Sequence, residues 1–120
     1  MPVPEPIRFA RDWVAAWNAR DVEAVLAHFH EDAMFSSPIA ERLGHGIRGT
    51  VRGKHALRAY WTAALALNRA LRFSLGEVHA GIDTIVICFT TQDGTRRAEV
   101  LVFEDGLVAR GYATTEAEPA

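Results

Sequence analysis

The stretch IDTIVICFTTQDGTRRAEVLVFEDGLVARGYATT, residues 82–115, decides the fold class of this chain. It contains three largely apolar segments, each of strand length: Ile82–Thr91, Thr95–Glu104 and Leu107–Thr115. Two dipeptides, Asp93-Gly94 and Asp105-Gly106, separate these segments, and Asp-Gly is typical of tight hairpin turns. The stretch therefore predicts an antiparallel meander of three strands.

The segment before the meander predicts a fourth strand. Leu71, Phe73 and Leu75 alternate with polar residues, which is the period of a half-buried strand. Gly76 follows directly and indicates a bulge that bends this strand.

Three helices are predicted ahead of the strands, because apolar residues recur there at helical spacing. The first helix carries on one face Ala10, Trp13, Val14 and Trp17. The second begins after Asp21, a suitable N-cap, and carries Val22, Val25, Leu26 and Phe29. The third begins near Lys54 and buries Leu57, Tyr60, Trp61, Ala64 and Leu65. Between the last two helices we expect a short strand near Ala33–Ser37, ended by Pro38, and a mobile glycine-rich loop over Ile39–Gly53.

Helices followed by an antiparallel meander indicate an α+β fold, and the composition fits one globular domain. The 120 residues are 49% apolar and 23% charged, so we expect a single domain over residues 1–120 with a core over about 7–114. The net charge of −2 gives no excess of positive charge for binding nucleic acid. Cys88 is the only cysteine, which excludes an intrachain disulfide. No signal pattern or membrane-spanning segment is recognisable, so we expect a soluble cytoplasmic protein without cofactor or metal.

The two hairpin turns also predict which residues share a face of the sheet. If each turn is a two-residue loop, Glu99 lies opposite Cys88 on one side and Tyr112 on the other. By the same register Leu101 lies opposite Arg110. The opposite face then carries Ile85, Ile87, Phe89, Val100 and Val102. Three helices cover only one face of a sheet, so we expect this apolar outer face to form a homodimer.

The face that carries Glu99 mixes apolar side chains with a few polar ones, which is typical of a ligand pocket. We predict that Glu99 acts as a general acid or base, assisted by Tyr112. The side chains expected to surround a bound molecule are Trp13, Trp17, Phe35, Ser37, Tyr60, Trp61, Arg97, Leu101, Phe103 and Arg110.

Four segments resemble one known superfamily. They are WNARD (17–21), FHEDAMFSSP (29–38), VRGKHALRAYW (51–61) and AEVLVFEDG (98–106). The chain is similar to nuclear transport factor 2-like proteins, and most to the SnoaL-like members. The resemblance implies a curved sheet that wraps three helices around a conical cavity, and frequent dimers. It says little about function, because this fold hosts isomerases, cyclases, hydrolases and binding proteins.

Two enzymes of this superfamily offer a comparison of positions. In ketosteroid isomerase the base is a carboxylate placed where this chain has Ser37, its first oxyanion donor falls at Trp13, and its second acid falls at Glu99. In limonene-epoxide hydrolase an arginine and a carboxylate occupy the positions of Arg97 and Glu99. Its second acid, on the last strand, is replaced here by Arg110 or Tyr112. Neither mechanism transfers intact.

We therefore predict a small-molecule-binding protein that acts on an apolar carbonyl or ring compound as an isomerase, cyclase or hydrolase, with Glu99 as its pocket carboxylate. The alternative is a non-catalytic binding or dimeric assembly module whose cone is filled by its own bulky side chains. A cavity below about 300 Å³ would favour the alternative.

Overall fold

Residues 3–119 are described by a computed structural model, and they form four helices and six strands. The helices are α1 (Pro6–Asn18), α2 (Val22–Leu26), α3 (Pro38–Leu43) and α4 (Lys54–Leu67). The strands are β1 (Phe29–Ser36), β2 (Thr50–Arg52), β3 (Phe73–Ala80), β4 (Thr84–Thr91), β5 (Arg96–Glu104) and β6 (Leu107–Thr115). No helix in this part of the chain is long and apolar enough to cross a membrane.

Side-chain caps fix the N-terminal ends of the first two helices, and α2 begins where it was predicted. The carboxylate of Glu5 accepts hydrogen bonds from the backbone of Ile7 and Arg8 at the start of α1. Asp21 caps α2 as predicted, by accepting from the backbone N–H of Ala24 at 3.0 Å. Helix α2 is only 5 residues long, and Phe29 begins β1 instead of continuing it.

The prediction of a loop over Ile39–Gly53 is wrong. Ser37 caps a helix, α3, with its side chain accepting from the backbone N–H of Ile39, and Pro38 occupies the first helical turn. Gly44 ends α3 in the left-handed conformation with φ of 76°. The chain then forms β2, which pairs with β1. The segment is therefore an ordered rim rather than a long irregular loop.

The six strands form one sheet in the order β2-β1-β6-β5-β4-β3. Neighbouring strands are antiparallel except for β1 and β6, which run parallel. The meander of β4, β5 and β6 is antiparallel as predicted, and the parallel pairing of β1 with β6 was not foreseen. The sheet is curved by irregularities in β3, β6 and β1, including the predicted bulge after Leu75. Two edges, β2 and β3, stay unpaired, so the sheet does not close into a barrel.

The turn between β4 and β5 has three loop residues, not two, and this changes the register. The backbone N–H groups of Thr91 and Gly94 donate to Thr95 and Thr91 respectively, and Gly94 has a φ of 85°. A slip of one residue exchanges the two faces of a strand. Glu99 therefore lies opposite Ile87, not Cys88.

A second shift occurs between β5 and β6. Phe103 pairs with Val108 as predicted, but the register then shifts, so Leu101 lies opposite Gly111 and Glu99 opposite Ala113. Arg110 and Tyr112 lie opposite Val102 and Val100. The Asp-Gly turn was predicted correctly, and the bulge beyond it was not.

The core lies between the helices and the inner face of the sheet. Its strand residues include Ile85, Ile87 and Phe89, which are 0%, 0% and 3% exposed. The prediction that these three form an outer dimer face is wrong, since they are buried in the monomer. The outer face instead carries half-buried residues of β4, β5 and β6: Thr84, Val86, Cys88, Val100, Val102 and Tyr112. Pairing of this face with a second copy of the chain stays a prediction.

Candidate functional site

A cavity of about 910 Å³ lies between α1, α3, α4 and the inner face of the sheet. Its wall includes the side chains of Trp17, Phe35, Ser37, Tyr60, Arg97 and Glu99. This volume lies well above the figure of about 300 Å³ at which a filled cone would be favoured. Five bulky aromatic residues line this open space rather than filling it: Trp17, Phe35, Tyr60, Trp61 and Phe73.

Glu99 is the carboxylate in the wall of this cavity. Strand β5 places it between Leu101 and Arg97 on the inner face, where it is only 7% exposed. Its Oε2 atom is buried and has no hydrogen-bond partner within residues 3–119. Burial raises the pKa of Glu99 to about 7, while the nearby positive charge of Arg97 lowers it. Both protonation states of the carboxyl are therefore populated near neutral pH.

Arg97 lies two residues before Glu99, on the same face of β5. Its guanidinium lies over the ring of Phe89, with 5.9 Å between Cζ and the ring centroid. Its Nε atom is buried without a partner, and none of the three ion pairs formed within residues 3–119 involves this arginine. The cavity wall thus presents a cation whose charge has no carboxylate partner at ion-pair distance.

Tyr60 and Ser37 form a second polar group in the wall. The Tyr60 hydroxyl donates to Ser37 Oγ at 3.0 Å, and both residues are almost fully buried. Ser37 Oγ also accepts from the backbone N–H of Ile39, so its own proton stays free to donate. Burial raises the pKa of Tyr60, the charge of Glu99 raises it further, and that of Arg97 lowers it. Tyr60, Arg97 and Glu99 all line the same cavity.

Aromatic rings form the apolar part of the wall. The ring of Trp61 contacts those of Trp17 and Phe35 edge to face, at 5.3 and 5.4 Å between centroids. Trp17 Nε1 is a third buried polar atom that has no partner in the described part of the chain. Buried indole N–H groups normally have an acceptor, so this donor is available to an acceptor atom of a ligand.

Exposed residues form the mouth of the cavity. They come from the end of α3, from the end of α4, from the β4–β5 turn and from the chain after β6, and they include Arg42, Leu43, Leu67, Asp93, Glu116 and Glu118. Arg96 and Glu116 form an exposed ion pair of 3.5 Å there. Asp93 accepts from Thr91 and Thr95, which lowers its pKa.

The structure brings together seven of the residues predicted from the sequence and separates five others from the cavity. Those in the wall are Trp17, Phe35, Ser37, Tyr60, Trp61, Arg97 and Glu99. Tyr112 lies on the outer face, so its predicted role beside Glu99 is wrong. Arg110 is also on that face, exposed and 3.5 Å from Glu104. Trp13, Leu101 and Phe103 are core residues that do not reach the cavity.

Some wall residues were missed by the sequence reasoning. Ala113 lies opposite Glu99 and was hidden by the register shift in β6. Ile39, Arg42 and Leu43 were assigned to a loop, although Ser37-Pro38 followed by Gly44 is the signature of a short capped helix. The chain after β6 gave no signal beyond its polar composition.

Within residues 3–119, no group of three His, Cys, Asp or Glu side chains could hold a metal ion. The chemistry that these side chains can perform is proton transfer at Glu99 together with hydrogen-bond donation from Arg97, Trp17 and Ser37. Such a combination suits a ligand oxygen that gains negative charge.

The helices, the open curved sheet and the cavity define an α+β protein of the nuclear transport factor 2-like, cystatin-like class. The chain belongs to the SnoaL-like domain family, whose sequence model matches residues 10–111. No protein with a curated description matches it.

Three solved structures are similar over nearly the whole chain. A SnoaL-like protein of unknown function from Burkholderia thailandensis E264 is 31% identical, with a TM-score of 0.88 over 98% of this chain and 100% of that one. An NTF2-like protein of unknown function from Burkholderia pseudomallei K96243 is 20% identical, with a TM-score of 0.75 over 92% and 90%. A protein of unknown function with a cystatin-like fold from Methylobium petroleophilum PM1 is 20% identical, with a TM-score of 0.76 over 100% and 82%.

Proposed function

We propose that this protein binds a small, largely apolar ring or carbonyl compound in the cavity and transfers a proton on it through Glu99. The observation that carries this proposal is the position of Glu99, a nearly buried residue of the cavity wall whose Oε2 has no hydrogen-bond partner within residues 3–119. A buried polar atom without a partner costs roughly 1–3 kcal/mol, more if it is charged. A ligand that bonds to it recovers part of this free energy.

The remaining wall residues fit the same ligand class. The rings of Trp17, Phe35 and Trp61 favour a flat apolar body. Arg97 and Ser37 supply donors for an oxygen atom on that body. Membership of the SnoaL-like domain family agrees with a pocket for a small molecule and selects no reaction, because function in this fold depends on the site.

The proton transfer needs no other reactant. The Glu99 carboxylate takes a proton from the carbon beside a ligand carbonyl. The electron pair of that C–H bond forms a C=C bond, and the C=O electron pair moves to the oxygen, which becomes an enolate. The positive charge of Arg97 stabilises this oxygen. Return of the proton to the same carbon regenerates the ketone, and in D₂O this exchanges its hydrogen for deuterium. Return of the proton to another carbon of a conjugated enolate isomerises the compound. A carboxyl that ionises near neutral pH suits both steps.

Exchange of carbon-bound protons in D₂O tests this proposal even though the natural substrate is unidentified. 2-Acetylnaphthalene, carvone and androstenedione serve as aromatic, terpene and steroid ketones, and ¹H NMR follows loss of the protons beside each carbonyl. We expect the wild type to accelerate exchange for at least one ketone. Glu99→Gln should abolish the acceleration, and the matched control Glu104→Gln, an exposed residue on the same strand, should retain it. Equal exchange with and without wild-type protein, or full activity in Glu99→Gln, contradicts the proposal.

A non-catalytic binding protein remains the second candidate, and the size of the cavity favours it equally. It predicts that a ketone raises the melting temperature without any gain in exchange rate. A ligand at 100 times its Kd should add about 2.7 kcal/mol to the free energy of unfolding. Stabilisation without exchange therefore assigns the protein to binding alone.

A further inference from the structure

We infer that the cavity selects an anionic ligand, one whose body is a flat aromatic ring system and whose carboxylate or enolate oxygen binds between Arg97 and Glu99. This inference rests on the proposed function and narrows it to one charge class. It is based on an excess of hydrogen-bond donors over acceptors among the unpaired polar groups of the wall.

Most polar groups of the wall that lack a hydrogen-bond partner within the described residues are donors. Arg97 Nε and Trp17 Nε1 are buried N–H groups that can only donate, and neither has a partner among residues 3–119. The Ser37 hydroxyl has accepted two hydrogen bonds and keeps its own proton to donate. In its protonated form, Glu99 adds a further donor at a site that is 7% exposed. A group rich in acceptors, such as a carboxylate, satisfies such a wall better than a neutral donor group does.

The charges in the wall also favour an anionic ligand. Arg97 carries a positive charge without an ion-pair partner among residues 3–119, and protonation of Glu99 leaves that charge uncompensated. The negative groups at the mouth are exposed, and two are engaged: Glu116 with Arg96, and Asp93 with the threonines of its turn. Glu118 and Arg42 complete the charged groups of the lining. The deep part of the cavity is therefore cationic when Glu99 is protonated.

The anion also matches the state that proton transfer produces. When Glu99 takes a proton from a neutral ketone, the result is a protonated carboxyl beside an enolate. A stable anion of similar shape then binds the same arrangement of Arg97 and protonated Glu99. Because such analogues resemble the reacting state, they bind more tightly than neutral compounds of the same size.

Three probes of nearly equal shape test the charge preference directly. Calorimetric titration compares 2-naphthoate, the neutral 2-naphthamide and the cationic 2-naphthylmethylammonium at pH 6. We expect 2-naphthoate to bind at least 10-fold more tightly than the amide, the order expected for one well-placed charged hydrogen bond. Arg97→Met should remove this preference. The matched control Arg110→Met, which deletes the same charge on the outer face, should keep it.

A pH comparison separates Glu99 from the other charged groups. If the anion binds only when Glu99 is protonated, the Kd of 2-naphthoate rises about 10-fold from pH 6 to pH 8, given a pKa of about 7. The groups that face Glu99 are Arg97 on its own strand and Tyr60 on α4, and the ring of His45 lies tilted against that of Tyr60, with 5.3 Å between centroids. Glu99→Gln should bind 2-naphthoate without this pH dependence. A pH dependence that survives the substitution comes from His45 or the mouth and contradicts the assignment to Glu99.

The outcomes also separate this inference from the proposed function. Equal or tighter binding of 2-naphthamide, with ketone exchange still dependent on Glu99, overturns the anion preference and leaves the proton-transfer proposal intact. Preference for the cation overturns the inference in the same way. Failure of all three probes to bind at millimolar concentration, together with no ketone exchange, overturns both.

Discussion

Glu99 on β5 lies directly opposite Ile87 on β4, a residue without exposed surface. This pairing places a carboxyl within the apolar layer of the sheet, and the resulting loss of hydration is the main cause of its raised pKa. The cost of ionising Glu99 should therefore appear in the stability of the folded protein.

Glu99→Gln should remove a pH-dependent loss of stability. The folded-state pKa of about 7 lies above the ordinary value of 4.5, so the folded state retains the proton that the unfolded chain has released. Ionised Glu99 then destabilises the wild type progressively from about pH 4.5 to pH 7, and by roughly 3 kcal/mol above that window. Urea unfolding of both proteins from pH 4.5 to 8.5 should show Glu99→Gln gaining stability relative to the wild type as the pH rises. Glu104→Gln is the control, and a difference between wild type and Glu99→Gln that stays constant over this range would rule out the buried, protonated carboxyl.

Gly111→Ala should destabilise the protein by steric conflict with Phe35. A Cβ added to Gly111 would lie 2.6 Å from Cδ1 of the Phe35 ring, which itself packs against Trp61. Overpacking of this kind typically costs about 1–3 kcal/mol. Gly81→Ala is the matched control, because its added Cβ would be 3.7 Å from the nearest atom. Chemical denaturation measures both variants, and equal stability of the two would show that Phe35 does not pack on β6 as described.

Asn18→Ala should weaken the contact between α1 and strand β3. The Asn18 side chain donates to the carbonyl of Phe73 at 2.9 Å and accepts from its backbone N–H at 2.8 Å. Loss of both bonds leaves half-buried backbone groups unpaired, at a cost of about 1–3 kcal/mol. Amide hydrogen exchange should show faster exchange at Phe73 than in the wild type. Unchanged protection of that amide would contradict the role given to Asn18.

Tyr60→Phe should weaken ketone binding less than Glu99→Gln does. The substitution removes the hydrogen bond to Ser37 but leaves that hydroxyl free to bond to a ligand. The net cost to stability is about 1 kcal/mol, typical of one hydrogen bond. Thermal unfolding with and without 2-acetylnaphthalene measures both effects. A larger loss of binding in Tyr60→Phe than in Glu99→Gln would show that the main polar contact of the ligand is on α4 and not on the sheet.

The elements with strong local signals could be predicted from the sequence. Apolar periodicity located α1 and α4, the Asp21 cap located the start of α2, and the Asp-Gly dipeptides located the three strands of the meander. Glu99 was placed correctly on the inner face, because alternation along β5 alone decides that face.

The relations between strands could not be predicted in the same way. The Gln92-Asp93-Gly94 turn has one loop residue more than the dipeptide suggests, and the bulge in β6 has no glycine to mark it. Each shift moves a whole strand by one position, which removed Tyr112 and Arg110 from the cavity and placed Ile87 and Ala113 beside Glu99. Local sequence determines the elements, whereas pairing is decided by packing between distant parts of the chain.

The most direct test of the central claim is an NMR titration of the Glu99 side-chain carboxyl carbon, with and without saturating 2-naphthoate. We predict a midpoint near 7 in the free protein and a higher midpoint in the presence of 2-naphthoate, since the anion favours the protonated carboxyl. A midpoint near 4.5 that 2-naphthoate leaves unchanged would show that Glu99 is an ordinary hydrated carboxylate, and would contradict a buried Glu99 that binds anions in its protonated form.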